Sequence, residues 1–326
     1  MKLITALATP FLHGKIHLES FVKLLESQIC ADGVLCAGTT GEGAALCACE
    51  KKLLLNACKA VLPDKQLWLG VSSSVTAVAQ VEAEFAAKNG VYGVLVTPPS
   101  FSKCTKEGFV RHVQLIKEAC DLPIMVYNAP SRCGYVLWED AVKQLAQEGI
   151  EYLKDAGSDI GYAENCEKHI KLLCGNEEKL SEFCKTDMYG VVSVVSNVAP
   201  HLTADVLHSL HCDGENAVKN GEFTAKTEDE PCRCNSNAEY TCKKETCLEK
   251  SLHSLCPTSE SCREQEVFAT VASLCFREIN PLPIKYLLYK TGVFDNFEMR
   301  LPLTKASQNL QKDADEFLRQ FLPFLR

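Results

Sequence analysis

"IMVYNAPSRCG", residues 124–134, begins as an unbroken apolar run and ends on polar groups: the Tyr127 phenol, the Asn128 amide and, five positions after the phenol, the Arg132 guanidinium. The run does not alternate between apolar and polar residues. It is apolar throughout, the pattern of a parallel strand covered on both faces. Seven other runs share that character: "KLITALATPF" (2–11), "GVLCAG" (33–38), "LWLGV" (67–71), "GVLVTP" (93–98), "EYLKDA" (151–156), "KLLCGN" (171–176) and "GVVSVVS" (190–196). Between them lie stretches such as "LESFVKLLESQIC", "CEKKLLLNACKAVL" and "TKEGFVRHVQLIKEA". Their apolar residues recur at three- and four-residue spacing, as on one face of a helix. Eight strand–helix units in about 200 residues predict an α/β fold, a (β/α)8 TIM barrel. The competing fold is an open doubly wound sheet. It is weakened because no G-x-G-x-x-G follows an early strand.

The barrel is expected over residues 1–211. From 263 to 326 the pattern is helical again, in "EQEVFATVASLCF", "LPIKYLLYKTG" and "DADEFLRQFLPFL", which predicts a C-terminal helical layer packed on the barrel. Between the two, residues 212–262 are polar and hold seven of the 19 cysteines, so they are a poor core builder and read as a Cys-rich insertion in a loop between two helices. Within it Cys232 and Cys234 form a C-x-C pair, Cys242 and Cys247 a C-x4-C pair, and Cys256, Cys262 and His253 follow. That spacing allows a structural Zn²⁺ site but matches no standard finger or ribbon. Disulfides, or a thiol-rich loop with neither, are the other readings. The remaining twelve cysteines, Cys36, Cys174 and Cys275 among them, are expected to be buried reduced thiols.

A chain of 326 residues is long enough for one large core with an appendage. Its net charge of -8 argues against a nucleic-acid groove and against an anionic membrane surface. No apolar run reaches the roughly 18 residues needed to span a bilayer. The start, "MKLITALATPF", reads as a first strand rather than as a signal peptide. The expectation is a cytoplasmic protein.

In such a barrel the active site lies at the C-terminal ends of the strands. There the chain offers "GTTGEG" (38–43) after strand 2, Thr97 and Pro98 after strand 4, Tyr127 and Asn128 on strand 5 with Arg132 beyond, Lys154 on strand 6, and Gly175 and Asn176 after strand 7. Lys154 stands inside an apolar strand, where lysine is seldom buried without a reason. Burial disfavours the ammonium, and the neutral amine can attack a carbonyl to form a Schiff base. The competing reading is a strand-end lysine paired with Asp155 or Asp159. Tyr127 is suited to moving protons during carbinolamine formation and breakdown, or else is a barrel aromatic with a satisfied hydroxyl. Thr39 and Thr40, set between glycines, offer hydroxyls and backbone N–H groups to a carboxylate, or else form a simple βα turn. Arg132 offers a fork for a second carboxylate, or else makes a surface ion pair. Taken together, these groups are what addition to a 2-keto acid needs.

"GTTGE", "YNAPSRCG", the strand 6 lysine in "LKDAG", "GVVSVVSNVAP" and "NPLPIKYLLYKTG…RLPLT" resemble the 4-hydroxy-tetrahydrodipicolinate synthase (dihydrodipicolinate synthase) family, of the class I pyruvate aldolase/lyase superfamily. The resemblance runs in order over about 280 residues and leaves out 213–262. It implies that Lys154 forms the Schiff base with pyruvate and that Tyr127 is the proton relay. Thr39 and Thr40 would hold the pyruvate carboxylate and join proton transfer. Gly38 and Val192 would complete the substrate-binding set, and Arg132 would receive the carboxylate of L-aspartate 4-semialdehyde. The implied activity is a lyase of lysine and diaminopimelate biosynthesis, a homotetramer built as a dimer of dimers, without metal or organic cofactor.

Three stretches depart from the family pattern. After strand 4 the family reads T-P-Y-Y, with the second tyrosine reaching a neighbouring subunit's site; here the row is "TPPSF", Thr97 to Phe101. A lost relay member costs general acid–base catalysis, typically worth about 10²- to 10⁴-fold. Members inhibited by lysine carry a histidine, a glutamate and a tyrosine near the dimer interface. Here Ala48, Val78 and Pro99 stand there, so lysine feedback is expected to be weak or lost. The insertion is the third. These departures keep two further functions in view: a Schiff-base lyase acting on a keto-sugar acid, against which Arg132 argues, and a non-catalytic homologue, against which the retained lysine, tyrosine, threonines and arginine argue.

Overall fold

Each of the eight apolar runs forms a strand in the computed structural model, which describes residues 1–219 and 259–325. The strands are β1 (Lys2–Ala6), β2 (Gly33–Cys36), β3 (Gln66–Val71), β4 (Gly93–Val96), β5 (Ile124–Asn128), β6 (Tyr152–Asp155), β7 (Lys171–Cys174) and β8 (Gly190–Ser193). Each pairs in parallel with its successor, and β8 returns to β1 through Lys2↔Gly190 and Ile4↔Val192, which closes the barrel. A two-stranded ribbon, Phe11–Leu12 with Lys15–Ile16, follows β1.

Helices connect the strands, and each buries the stripe its sequence spacing sets out. Lys106–Cys120 buries Phe109, Val110, Val113, Ile116 and Cys120 against the barrel. Its start is fixed by Thr105, whose hydroxyl accepts from the Gly108 N–H at 3.1 Å, and its end by Asp121 at φ 47°. The stretch 18–30 does not form one helix as its periodicity suggests. The α-helix stops at Glu26 and a 3₁₀ turn, Ser27–Cys30, follows. There Gln28 is drawn inward, its Oε1 accepting the Thr5 hydroxyl at 2.7 Å inside the barrel wall.

The main core lies between strands and helices. A second apolar cluster fills the barrel itself: Ile4, Leu35, Leu95, Met125, Leu173 and Val192, with Trp68 as its largest member. Trp68 meets Tyr92 and Tyr152 edge-on at 5.1 and 5.3 Å between centroids, which seals the floor.

The C-terminal helices cover one side: Ser259–Phe276, Leu282–Lys290 and Gln308–Phe321. The helix from Pro200 runs to Lys219, past the boundary expected at 211, and the next starts at Ser259, ahead of 263. Helical spacing thus continues into sequence whose polar composition suggested its end. The rest of the expected insertion, with the Cys232 to Cys256 pattern, lies outside the described residues. Among the described residues no helix is long and apolar enough to cross a membrane.

Candidate active site

The register of β5 against β6 sets the site. Tyr127 pairs with Lys154, and Asn128 with Asp155. Strand side chains alternate between faces, so Tyr127 and Lys154 turn into the barrel at one level while Asn128 and Asp155 turn outward. The outward pair is a brace: Asn128 Nδ2 donates to Asp155 Oδ1 at 2.8 Å, and the Leu137 N–H donates to Asn128 Oδ1 at 3.0 Å. The inward pair is the chemistry. Lys154 Nζ sits 4.7 Å from the centroid of the Tyr127 ring.

Lys154 is buried, and among the described residues it makes neither the ion pair with Asp155 nor the one with Asp159 that its sequence left open. Asp155 is held by Asn128 and the Gly157 N–H, and Asp159 caps the helix Ile160–Glu167 through the Tyr162 N–H. Burial lowers the Lys154 ammonium to about 8, Arg132 pushes the same way, and the Glu177 carboxylate opposes both. At pH 7 about a tenth of a group with that pKa is neutral, against about three in ten thousand at the ordinary value. Gly175, at the end of β7, leaves the space for this side chain: a Cβ there would lie 2.7 Å from Lys154 Cε.

Glu177 is the nearest anion the sequence reading passed over. It is buried, and its Oε1 accepts the Ser193 hydroxyl at 2.6 Å while its Oε2 accepts the Val194 N–H at 2.7 Å. Burial raises its carboxyl pKa; these donors oppose the rise and favour the charged form. Tyr127 is also driven up by burial, and the Arg132 guanidinium, through its charge and a hydrogen bond, opposes that. Arg132 makes no ion pair among the described residues. It lies on the short helix Pro130–Cys133 and lines the same cavity as the phenol.

Lys154, Tyr127, Thr39, Thr40 and Arg132 line one cavity of about 250 Å³ at the C-terminal ends of the strands, together with Ser131, Ser158, Asn176, Glu178, Val194, Phe276 and Asn280. Gly38 lines a second hollow, of about 330 Å³, that shares Thr39, Arg132 and Asn280 with the first. Val192 lies in the packed layer inside the barrel, and Val194 is the valine of that stretch that lines the cavity. Ser100 does not line it: its N–H bonds Ser74 Oγ at 3.3 Å. The phenol nearest that loop is Tyr135, which donates to the Pro99 carbonyl at 2.8 Å and also stays outside the cavity.

The threonine turn is held from the far end of the chain. Asn280 Nδ2 donates to Thr40 Oγ1 at 3.0 Å. Glu42, two residues on, is buried in the left-handed region at φ 51°. Its Oε1 accepts from Lys285 Nζ at 2.6 Å and its Oε2 from the Arg300 N–H at 3.0 Å. Lys285 is fully buried, and Phe11 covers both cations, with Lys285 Nζ and the Arg300 guanidinium carbon each 4.4 Å from its ring centroid. Gly43 allows the turn to close, since a Cβ there would lie 1.8 Å from the Ala37 carbonyl oxygen. An acidic residue in a glycine turn and a lysine in the apolar run "PLPIKYLL" were the available signals for this clamp.

Comparison with known proteins agrees with this fold. Residues 1–226 match the model of the dihydrodipicolinate synthetase family. The 4-hydroxy-tetrahydrodipicolinate synthase of Rickettsia bellii (strain OSU 85-389) is 33% identical over 324 residues, covering 97% of this chain and 95% of its own. Among solved structures, the 4-hydroxy-tetrahydrodipicolinate synthase of Methylacidiphilum fumariolicum SolV superposes with a TM-score of 0.81 at 25% identity, over 99% of this chain and 96% of its own. The dihydrodipicolinate synthase of Thermotoga maritima gives 0.80 at 25% identity, over 98% and 97%.

Proposed function

This chain belongs to the dihydrodipicolinate synthetase family, and from that premise we propose that it is a lyase condensing pyruvate with L-aspartate 4-semialdehyde to 4-hydroxy-tetrahydrodipicolinate, in lysine and diaminopimelate biosynthesis. The observation that carries the proposal is Lys154: a buried amine that makes no ion pair among the described residues, lowered to about 8, facing a cavity it shares with a phenol, two threonines and an arginine.

The neutral Lys154 amine attacks C2 of pyruvate. Tyr127 passes a proton to the carbinolamine hydroxyl, water leaves, and an iminium remains. Thr39 and Thr40 hold the pyruvate carboxylate through hydroxyl and backbone N–H donors. Loss of a methyl proton gives the enamine, whose carbon attacks the aldehyde of the second substrate. Arg132, free of any ion pair among the described residues, takes that substrate's carboxylate at the rim. Attack of the new molecule's amine on the iminium carbon closes the ring and releases Lys154. The Glu177 carboxylate, held charged by its donors, favours the cationic iminium. No step needs a metal or an organic cofactor. We extend the reading to a cytoplasmic homotetramer, for which sedimentation of the purified protein is the test.

Incubation with pyruvate and borohydride, followed by peptide mapping, tests the chemistry. A reduced pyruvate adduct on Lys154 is expected; an unmodified Lys154 sinks the proposal. With the adduct in hand, kcat/KM for the semialdehyde is expected to exceed that for keto-sugar acids.

A further inference from the structure

The twelve cysteines whose side chains the structure describes are free, and most are single or buried. Cys47 and Cys49 are neither. Both are exposed in the single chain, on either side of Ala48, and their Sγ atoms lie 2.7 Å apart. That is inside van der Waals contact and longer than the roughly 2.05 Å of a disulfide bond. The other close sulfur pair, Cys36 and Cys58 at 3.3 Å, is buried, where no dissolved oxidant reaches it.

The exposed pair sits where it can act on the threonine turn. Cys47 precedes the helix Ala48–Val61, and its N–H donates to Glu50 Oε2 at 3.0 Å. Glu50 grips the Arg300 guanidinium at both nitrogens. The Arg300 N–H donates to Glu42, and the Glu42 N–H donates to the Thr39 carbonyl at 3.0 Å. Hydrogen bonds thus run from the Cys47 backbone, through the Glu50 and Arg300 residues and Glu42, to Thr39 of the cavity.

We propose that Cys47 and Cys49 are a reversible thiol–disulfide site, oxidised by small-molecule disulfides, whose closure loosens the carboxylate-binding turn. The Cys49 thiol is held above its usual pKa by the hydrogen bond to Cys47, so the attack is assigned to Cys47. The Cys47 thiolate attacks one sulfur of the external disulfide and expels a thiolate. Cys49 then gives its proton to water, and its sulfur attacks the Cys47 sulfur of the mixed disulfide, expelling the second thiolate. The pair loses two electrons and two protons; one external disulfide becomes two thiols. Drawing the sulfurs together at the helix start shifts the Cys47 N–H, which Glu50 holds, and with it the Arg300 grip.

Glutathione disulfide is the probe, applied to the full-length protein. After acid quench and alkylation, mapping is expected to give a Cys47–Cys49 link with loss of two hydrogens, reversed by dithiothreitol. A lasting glutathione adduct on either residue, a link to another cysteine or between copies on a non-reducing gel, or an untouched pair would each overturn the site. The effect on the turn rests on the pyruvate reading above. Its readout is the pyruvate concentration giving half-maximal trapping by cyanoborohydride, which reduces the iminium and leaves disulfides intact; it is expected to rise about fivefold on oxidation, the low end of coupling between linked sites. The doubly substituted Cys47→Ser, Cys49→Ser protein, which keeps a good helix-capping residue, should show no rise under the same treatment. A mapped link with an unchanged midpoint removes the coupling. Absence of trapping in the reduced protein counts against the Schiff-base reading and leaves the mapping result standing.

Discussion

Replacing Lys154 by methionine should make the protein more stable and inactive at once. The folded chain releases the Lys154 proton at about 8, whereas the unfolded chain keeps it to the ordinary 10.5. Below about pH 8 both states are protonated, and the fold carries the full cost of a buried ammonium. Between the two values the unfolded chain binds more protons, so stability rises with pH. Above 10.5 both are neutral and the cost is gone. The gap between the two values, at 1.36 kcal/mol per pKa unit, amounts to about 3 kcal/mol. Methionine keeps the length and apolar stem and removes the charge. Urea unfolding of both proteins at pH 7 should therefore show Lys154→Met more stable by about 3 kcal/mol, with the gain shrinking toward zero near pH 10.5. The comparison between variant and parent at each pH cancels the other titrating groups. An equal gain at both pH values, or a less stable variant at pH 7, would refute the account of Lys154 as a desolvated, unpaired amine. In the parent, the rate of borohydride trapping should climb as pH rises toward 8, as the neutral amine forms.

Gly175→Ala places a Cβ 2.7 Å from Lys154 Cε, so trapping on Lys154 should slow sharply while circular dichroism stays native; unchanged trapping would show that the lysine stem has room to move. Lys285→Met leaves Glu42 buried without its cation and should cost about 3–5 kcal/mol in urea unfolding, and adding Glu42→Gln should recover part of that loss. Free lysine at low millimolar concentration should leave the rate above half its uninhibited value, because Ala48, Val78 and Pro99 offer no polar side chain to hold it.

All eight strands were legible because each is a short, largely apolar run, and a parallel barrel buries both faces of every strand. Lys154 was legible for the same reason, as a charge inside such a run. Lys285 breaks an apolar run in the same way and was passed over. What separates the two is a carboxylate 243 residues away: Glu42 forms an ion pair with Lys285, and among the described residues no carboxylate does so with Lys154. Sequence spacing carries no trace of such a pairing. Glu177 escaped notice likewise, because its donors, the Ser193 hydroxyl and the Val194 and Val195 N–H groups, lie 16 to 18 residues on, at the end of the neighbouring strand. The end of the helix at Glu26 depended on Gln28 reaching Thr5, again a contact fixed by the fold and not by the local pattern.

The Glu42 clamp also bears on the order in which the molecule can be made. The turn that presents Thr39 and Thr40 leaves the ribosome early, yet its anchors, Asn280, Lys285 and Arg300, come some 240 to 258 residues later. Such distant contacts form late, since the loop they close must first be brought together. A nascent chain can therefore complete the barrel wall, with Lys154 already in place, before its carboxylate pocket has taken shape. On the proposed reading of that turn, competence to bind a keto acid is acquired only once Asn280, Lys285 and Arg300 have been made.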